Sequence, residues 1–305
     1  MLGVQFLSEK VWLSVEDQVD LLVKRGLIVQ NKQEALDFFK NNNYFRVSGY
    51  TLTMRRNDVF HNTCMENINQ VYCFDRRLRA LIMEVLEDVE ITYKTLVSYI
   101  HSKNYGPLGY EDSNTFEDLS GYAQMISKII GMKKTYENNQ EQFLKHYVED
   151  LDGKLPFWAA IELLNFADVS KLFKAMKVED KKEIVDYYFS SNINRYYLFV
   201  ENWLRCSSVL RNIVAHRGRL YNRSFTIKPK ISNRDKNLLL TNSSGSVVAD
   251  KLFSQIIALQ NLCPKKNMWL DFCFDFLVLT ETYPDVNIKA YGFPDDWRVK
   301  LEGRV

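Results

Sequence analysis

The chain has 305 residues, 46% hydrophobic and 26% charged, the proportions of a globular protein with a sizeable core, and its formal net charge of +2 excludes a polycation. Glycine and proline are scarce, 12 and 6, which favours long helices over a turn-rich β architecture. Five cysteines (Cys64, Cys73, Cys206, Cys263 and Cys273) lack CxxC or Cys/His spacing, and four histidines are scattered, so a disulfide framework and a zinc site are both disfavoured.

The segment Ser14 to Asp17 resembles a capping box, and Val19, Leu21, Leu22 and Leu27 follow at helical spacing until Arg25 and Gly26 end the helix. A second amphipathic piece runs from Lys32 to Phe39, then a polar break at Asn41 to Asn43 leads into an aromatic segment of unassigned register, Tyr44 to Tyr50. From Ile68 to Ile100 the positions Leu78, Leu81, Ile82, Val85, Val89, Leu96 and Ile100 recur at three- and four-residue steps, predicting one long helix with a buried stripe. Arg76, Arg77 and Arg79 then sit near its start, against the helix dipole, and call for neutralisation by Asp75 and the acidic residues one turn on, or for another role. His101 to Ser120 reads as a loop, Gly121 to Met132 as a helix, and the Glu/Asn-rich stretch after it as a connection. Another helix is predicted from Phe157 to Met176, and Tyr196 to His216 forms the next, ending near Gly218. Lys228 to Val247 is polar and reads as an exposed excursion with room for a hairpin, followed by helices over Asp250 to Leu262 and Asn267 to Thr282. No apolar run reaches the roughly 18 to 20 residues of a membrane span, and no signal peptide opens the chain. The expected protein is cytoplasmic, makes no membrane contact and is mainly α.

Chemistry concentrates at the end of the Tyr196 to His216 helix. Arg211, Asn212 and His216 put a guanidinium, an amide and an imidazole close together, the groups needed to bind a phosphodiester and move protons around it without a metal. His216 can serve as base or acid, because imidazole titrates near neutrality. Arg211 can clamp non-bridging phosphate oxygens with its fork of donors, and Asn212 can orient either group. Asn212 and His216 are one turn apart on a shared face, whereas Arg211 and His216 point away from each other. One helix also supplies only one imidazole. Both difficulties vanish if two copies face each other, so the pattern favours half of a symmetric dimer site. Against this, a lone His216 can simply cap its helix.

A basic strip follows, with Arg217, Arg219, Arg223, Lys228, Lys230, Arg234 and Lys236 opposed only by Asp235. It suits a polyanion such as RNA, or is a solvated loop. Tyr221 and Phe225, interleaved with Arg219 and Arg223, either stack on unpaired bases or pack in the core. Arg46, Arg76 and Arg79 are further candidates for RNA grip, with structural roles as the alternative. Glu87 and Glu90 either face the site and position Arg211, or serve helix packing.

The chain resembles the Abi-like proteins of bacterial abortive infection, the AbiD/AbiF group, over Leu13 to Leu301. The residues that carry the resemblance come in order: Gln18, Leu21, Leu22, Arg25, Gly26 and Leu27; Asn43 to Tyr50; Tyr72, Phe74, Asp75, Leu78 and Arg79 with Glu87 and Glu90. They continue with Pro156, Trp158, Glu162 to Leu164 and Phe166, then Arg211, Asn212 and His216, and finally Gly292, Phe293, Pro294 and Trp297. Three positions depart from the pattern: Lys94 stands where an arginine is common, Ala167 where a glycine is, and Phe45 where a second tyrosine is. The resemblance implies a HEPN-like helical bundle with additional N- and C-terminal helical elements. The chain reads as a helical segment over 1–60, the core with its Arg-x4-His motif over 61–227, and a polar excursion with C-terminal helices packed on the core over 228–305, with no linker long enough to split it and one compact unit expected.

By the same resemblance Arg211, Asn212 and His216 are the catalytic set of a metal-independent endoribonuclease that acts as a homodimer in anti-phage defence and needs no cofactor. The basic strip, apart from the resemblance, makes Arg217, Arg219, Tyr221, Arg223, Lys228 and Lys230 the candidate RNA-binding residues. Some relatives resemble toxins held by a small structured non-coding RNA, so RNA is expected both as substrate and as a bound partner. The rival expectation is a non-catalytic RNA-binding or regulatory module of a defence or toxin-antitoxin system, and a third is a protein-interaction bundle to which no residue points.

Overall fold

The computed structural model describes residues 12–138, 142–189, 195–263 and 265–303. The chain is mainly α. In order it forms α1 (Val15–Lys24), α2 (Lys32–Asn41), α3 (Tyr44–Ser48), a small antiparallel ribbon of β1 (Arg55–Arg56) and β2 (Val59–Phe60), and the long α4 (Met65–Tyr105). Next come α5 (Leu119–Lys134), α6 (Gln142–Glu149), α7 (Phe157–Ala160), α8 (Phe166–Ala175), α9 (Val178–Phe189) and α10 (Tyr197–Ala215). The last are α11 (Leu252–Leu262), α12 (Lys266–Thr282) and α13 (Trp297–Glu302). Among the described residues no helix is long and apolar enough to cross a membrane.

The chain divides into two compact units, one comprising Met1–Arg77 with Leu279–Asn287, the other Leu78–Val278 with Ile288–Val305. In the first, Ser14 caps α1 by accepting from the Asp17 amide, as the sequence predicts, and Val19, Leu22, Leu27, Ala35, Phe39, Val47, Phe60 and Ile68 form the core. Gly26 is required where α1 ends. Its φ is +92°, and a Cβ there would come within 2.9 Å of the Phe60 carbonyl oxygen. The aromatic segment Tyr44 to Tyr50 resolves into the short α3, and the Tyr50 hydroxyl donates to the buried Asp75 carboxylate at 2.8 Å. Arg77 lies 5.5 Å above the Tyr283 ring, a cation–π contact.

Because α4 starts at Met65, Arg76, Arg77 and Arg79 lie about three turns inside it, beyond the reach of its N-terminal dipole. The expected conflict with the dipole therefore does not arise. The helix also continues through His101 to Tyr105, into the stretch read as a loop, because His101 is buried against the rings of Tyr105, Phe116 and Phe157.

In the second unit α10 packs against α8, α9 and α11, while α5 packs against α8. Trp203, Phe166, Phe173 and Phe253 are all fully buried there. The single helix expected from Phe157 to Met176 is broken. After α7 a tight turn over Ile161–Leu163 gives way to extended Leu164, and Asn165 restarts the chain as α8 through a reciprocal capping box with Asp168. Apolar periodicity passes over such a break unmarked. The helix α6 falls where the sequence suggested only a connection, and α9 in a stretch to which the sequence reading assigns no element.

The Lys228 to Val247 segment is not a free excursion. Ser232, Asp235 and Leu239 are buried, and Thr241 and Val247 pair antiparallel between the Val248-to-Leu240 and Asn242-to-Ser246 backbone bonds, a short hairpin of the kind the sequence left room for.

Candidate active site

The helix α10 buries Val200, Trp203, Leu204, Ser207, Leu210 and Val214 at three- and four-residue steps, which turns Arg205, Asn212, Ala215 and His216 outward. Asn212 and His216 are thus exposed neighbours on one face, and the His216 amide donates to the Asn212 carbonyl at 3.0 Å. His216 caps the helix C-terminus. Beyond it the Arg217 amide bonds to the Val214 carbonyl at 2.9 Å and the Gly218 amide to the Ile213 carbonyl at 2.7 Å, the two bonds of a Schellman motif.

The left-handed residue of that motif is Arg217, with φ 56°, rather than the glycine. Gly218 is needed one place later for a different reason. A Cβ there would sit 2.9 Å from both the carbonyl oxygen and a methyl of Ile213.

Arg211 is turned inward. Its buried Nε faces Glu90 of α4 at 3.5 Å without a hydrogen bond, and its side chain is 31% exposed against 13% for Glu90. Glu90 itself lies 4.0 Å from Lys94, one turn along α4, and Lys94 lies 3.3 Å from Glu162 in the turn after α7. Burial raises the Glu90 carboxyl above its ordinary range, partly offset by Arg211 and Lys94 and reinforced by Glu87 and Glu162. Of the two acidic candidates, Glu90 contacts Arg211, while Glu87 is exposed.

The residues after the helix are organised mainly by backbone carbonyls. Arg79 donates to the Gly218 carbonyl at 3.4 Å, Arg219 to the Tyr221 carbonyl, and Arg223 Nε to the Arg219 carbonyl at 2.6 Å. Tyr221 is 2% exposed and edge-on to Tyr291 at 5.3 Å, and Phe225 is 4% exposed, so neither ring is offered to a base. Both belong to the core.

Lys228 and Lys230 are exposed, and their backbone is tied to α10. Asn202 donates to the Lys228 carbonyl at 3.4 Å and accepts from the Lys230 amide at 2.6 Å. Trp203 donates to the Lys230 carbonyl at 2.9 Å. Cys206, on the buried side of α10, has its thiol pushed up to about 12 by burial, which leaves no thiolate to act as a nucleophile near neutrality. Among the described residues no group of three or more His, Cys, Asp or Glu is arranged to hold a metal ion.

The structure therefore holds Asn212 and His216 as exposed neighbours on one face and turns Arg211 inward to pair with Glu90. The sequence leaves Glu90 as one of two acidic candidates and carries no sign that Glu162 neighbours Lys94. The spacing of Glu90 and Lys94 was visible as an i,i+4 pair, but Glu162 comes from another element. A model of the family described as Abi-like protein matches residues 37–222, a span that holds the Arg211 to His216 motif and stops short of Arg223, Lys228 and Lys230. No curated protein and no solved structure matches the chain.

Proposed function

This chain belongs to the Abi-like protein family, and from that premise we propose that it is a metal-independent endoribonuclease of abortive-infection defence with a HEPN-type core. The observation that carries the reading is the end of α10, where exposed Asn212 and His216 share one face and Arg211, turned inward, pairs with the half-buried Glu90. An imidazole at the base position takes the proton from a ribose 2′-OH as that oxygen attacks phosphorus. The P–O5′ bond breaks, an acid protonates the leaving 5′-oxygen, and a 2′,3′-cyclic phosphate remains. Charge building on the non-bridging oxygens is met by the Arg211 fork.

One helix end supplies a single imidazole. A second copy of the chain, facing the first across the exposed Asn212/His216 surface, supplies the other in a composite dimer site. Lys228 and Lys230 extend the cationic path for the RNA, with a small structured RNA as a restraining partner by analogy with the family.

The experiment is cleavage of end-labelled single-stranded RNA in EDTA by the wild type, His216→Ala and Arg211→Ala. Cleavage that persists in EDTA, leaves cyclic-phosphate ends and disappears in both variants supports the nuclease. An inert wild type that copurifies with one tightly held RNA would favour a binding module instead. An inert protein free of RNA would end the nucleic-acid reading.

A further inference from the structure

Behind Arg211 the charges alternate along a chain: Arg211 on α10, Glu90 and Lys94 on α4, and Glu162 in the turn that follows α7. The two inner members are shielded, Glu90 with 13% of its side chain exposed and Lys94 with 11%, whereas Glu162 is 55% exposed. Lys94 is therefore one cation between two carboxylates, 3.3 Å from Glu162 and 4.0 Å from Glu90. The more Glu162 draws it off, the more the Glu90 charge is left to Arg211.

We propose that Lys94 and Glu162 are positioning residues for this site, acting through Glu90 to set how firmly it holds the Arg211 guanidinium. The inference rests on the reading of Arg211 as the phosphate-binding group. Glu90 approaches Arg211 at Nε, which leaves the far edge of the guanidinium, with its paired terminal nitrogens, to fork a phosphate. A carboxylate that also closed on Lys94 would hold Arg211 less tightly and let that edge wander. Misplacement by about 1 Å at such a group costs on the order of a hundredfold in rate.

The charged groups around Glu90 are few: Glu87 and Lys94 on its own helix, Arg211 from α10 and Glu162 from the turn after α7. Lys94 and Glu162 act on it with opposite sign, and that separates a charge chain from mere packing. Glu162→Gln releases Lys94 toward Glu90, so Glu90 should deprotonate more readily. Lys94→Met removes a cation, so Glu90 should hold its proton to higher pH.

The test reads the Glu90 carboxyl directly by 13C NMR titration, its resonance identified by loss in Glu90→Gln, together with the pH profile of RNA cleavage. The Glu90 midpoint is expected to fall by about half a pH unit, roughly threefold in proton affinity, in Glu162→Gln and to rise by about as much in Lys94→Met. The acid limb of cleavage should move with it in each case. Should Lys94→Met fail to fold, Glu162→Gln decides alone, since Glu162 is largely exposed. A Glu90 midpoint unmoved by Glu162→Gln, or moved in the same direction by both variants, would overturn the proposal even if the wild type cuts RNA. Opposite shifts in a protein that cuts no RNA would uphold the charge chain and sink the nuclease reading, so the two failures are distinguishable.

Discussion

Arg211 and Glu90 meet with the guanidinium Nε 3.5 Å from the carboxylate, an ion pair made at one edge of the arginine. A lysine in its place keeps the charge and loses the planar fork. Arg211→Lys is therefore expected to lower RNA cleavage by about a hundredfold while stability stays within about 1 kcal/mol of wild type. Paired rate and urea-midpoint measurements check this, and near-normal cleavage by the lysine variant would show that charge alone suffices.

His101 gives the fold its own pH dependence. It is fully buried, with Nε2 3.1 Å from the Thr115 hydroxyl, and burial, with Lys177 nearby, lowers it from 6.5 to about 4. The folded state then binds fewer protons than the unfolded state between those values, so stability rises with pH across that window. The His101 contribution is present above pH 6.5 and is lost as pH falls toward 4, with an upper bound of about 3 kcal/mol. Urea unfolding from pH 4 to 7 should show the slope, and His101→Phe should flatten it.

Gly218→Ala probes the end of the motif helix. The added methyl meets the Ile213 carbonyl at 2.9 Å, and a backbone oxygen closing a Schellman bond has little room to retreat. A loss of about 2 kcal/mol in stability is expected, with weaker cleavage because the His216 cap is displaced. Thermal melting and a rate assay on the same variant would expose any separation of the two effects.

The exposed lysines and the buried ring after the helix should respond in opposite ways. Lys228→Ala and Lys230→Ala are each expected to weaken RNA binding and lower its salt slope by about 1, leaving stability nearly unchanged. Tyr221→Leu should lower stability by about 1 to 3 kcal/mol and leave the salt slope alone, since its ring is enclosed beside Tyr291. Titrations with single-stranded RNA at several salt concentrations separate the two behaviours, and an unchanged slope for both lysines would remove them from the interface.

Much of the helical order was legible along the chain. The stripe from Leu78 to Ile100 places α4, because burial on one side of a helix imposes its period on the residues themselves. Ser14 before an amphipathic run marks the start of α1 for an equally local reason. The break at Leu164 and Asn165 was not legible, because apolar residues continue across it and only the reciprocal bonds of Asn165 and Asp168 betray the restart. The short α9 was missed as well. Its buried residues include Asp180 and Lys181, and their polarity masks the apolar period.

By itself the sequence determined that this protein is mainly α, that Arg211, Asn212 and His216 cluster at one helix end, and that Asn212 and His216 share a face. Each of these follows from spacing within a few residues. Tertiary structure alone decided that Arg211 turns to Glu90, that Lys94 stands between Glu90 and Glu162, and that Tyr221 lies in the core. Apart from Glu90 and Lys94, one turn apart on α4, those relationships join residues dozens of positions apart, and only the packing of one element on another brings them within a few ångströms.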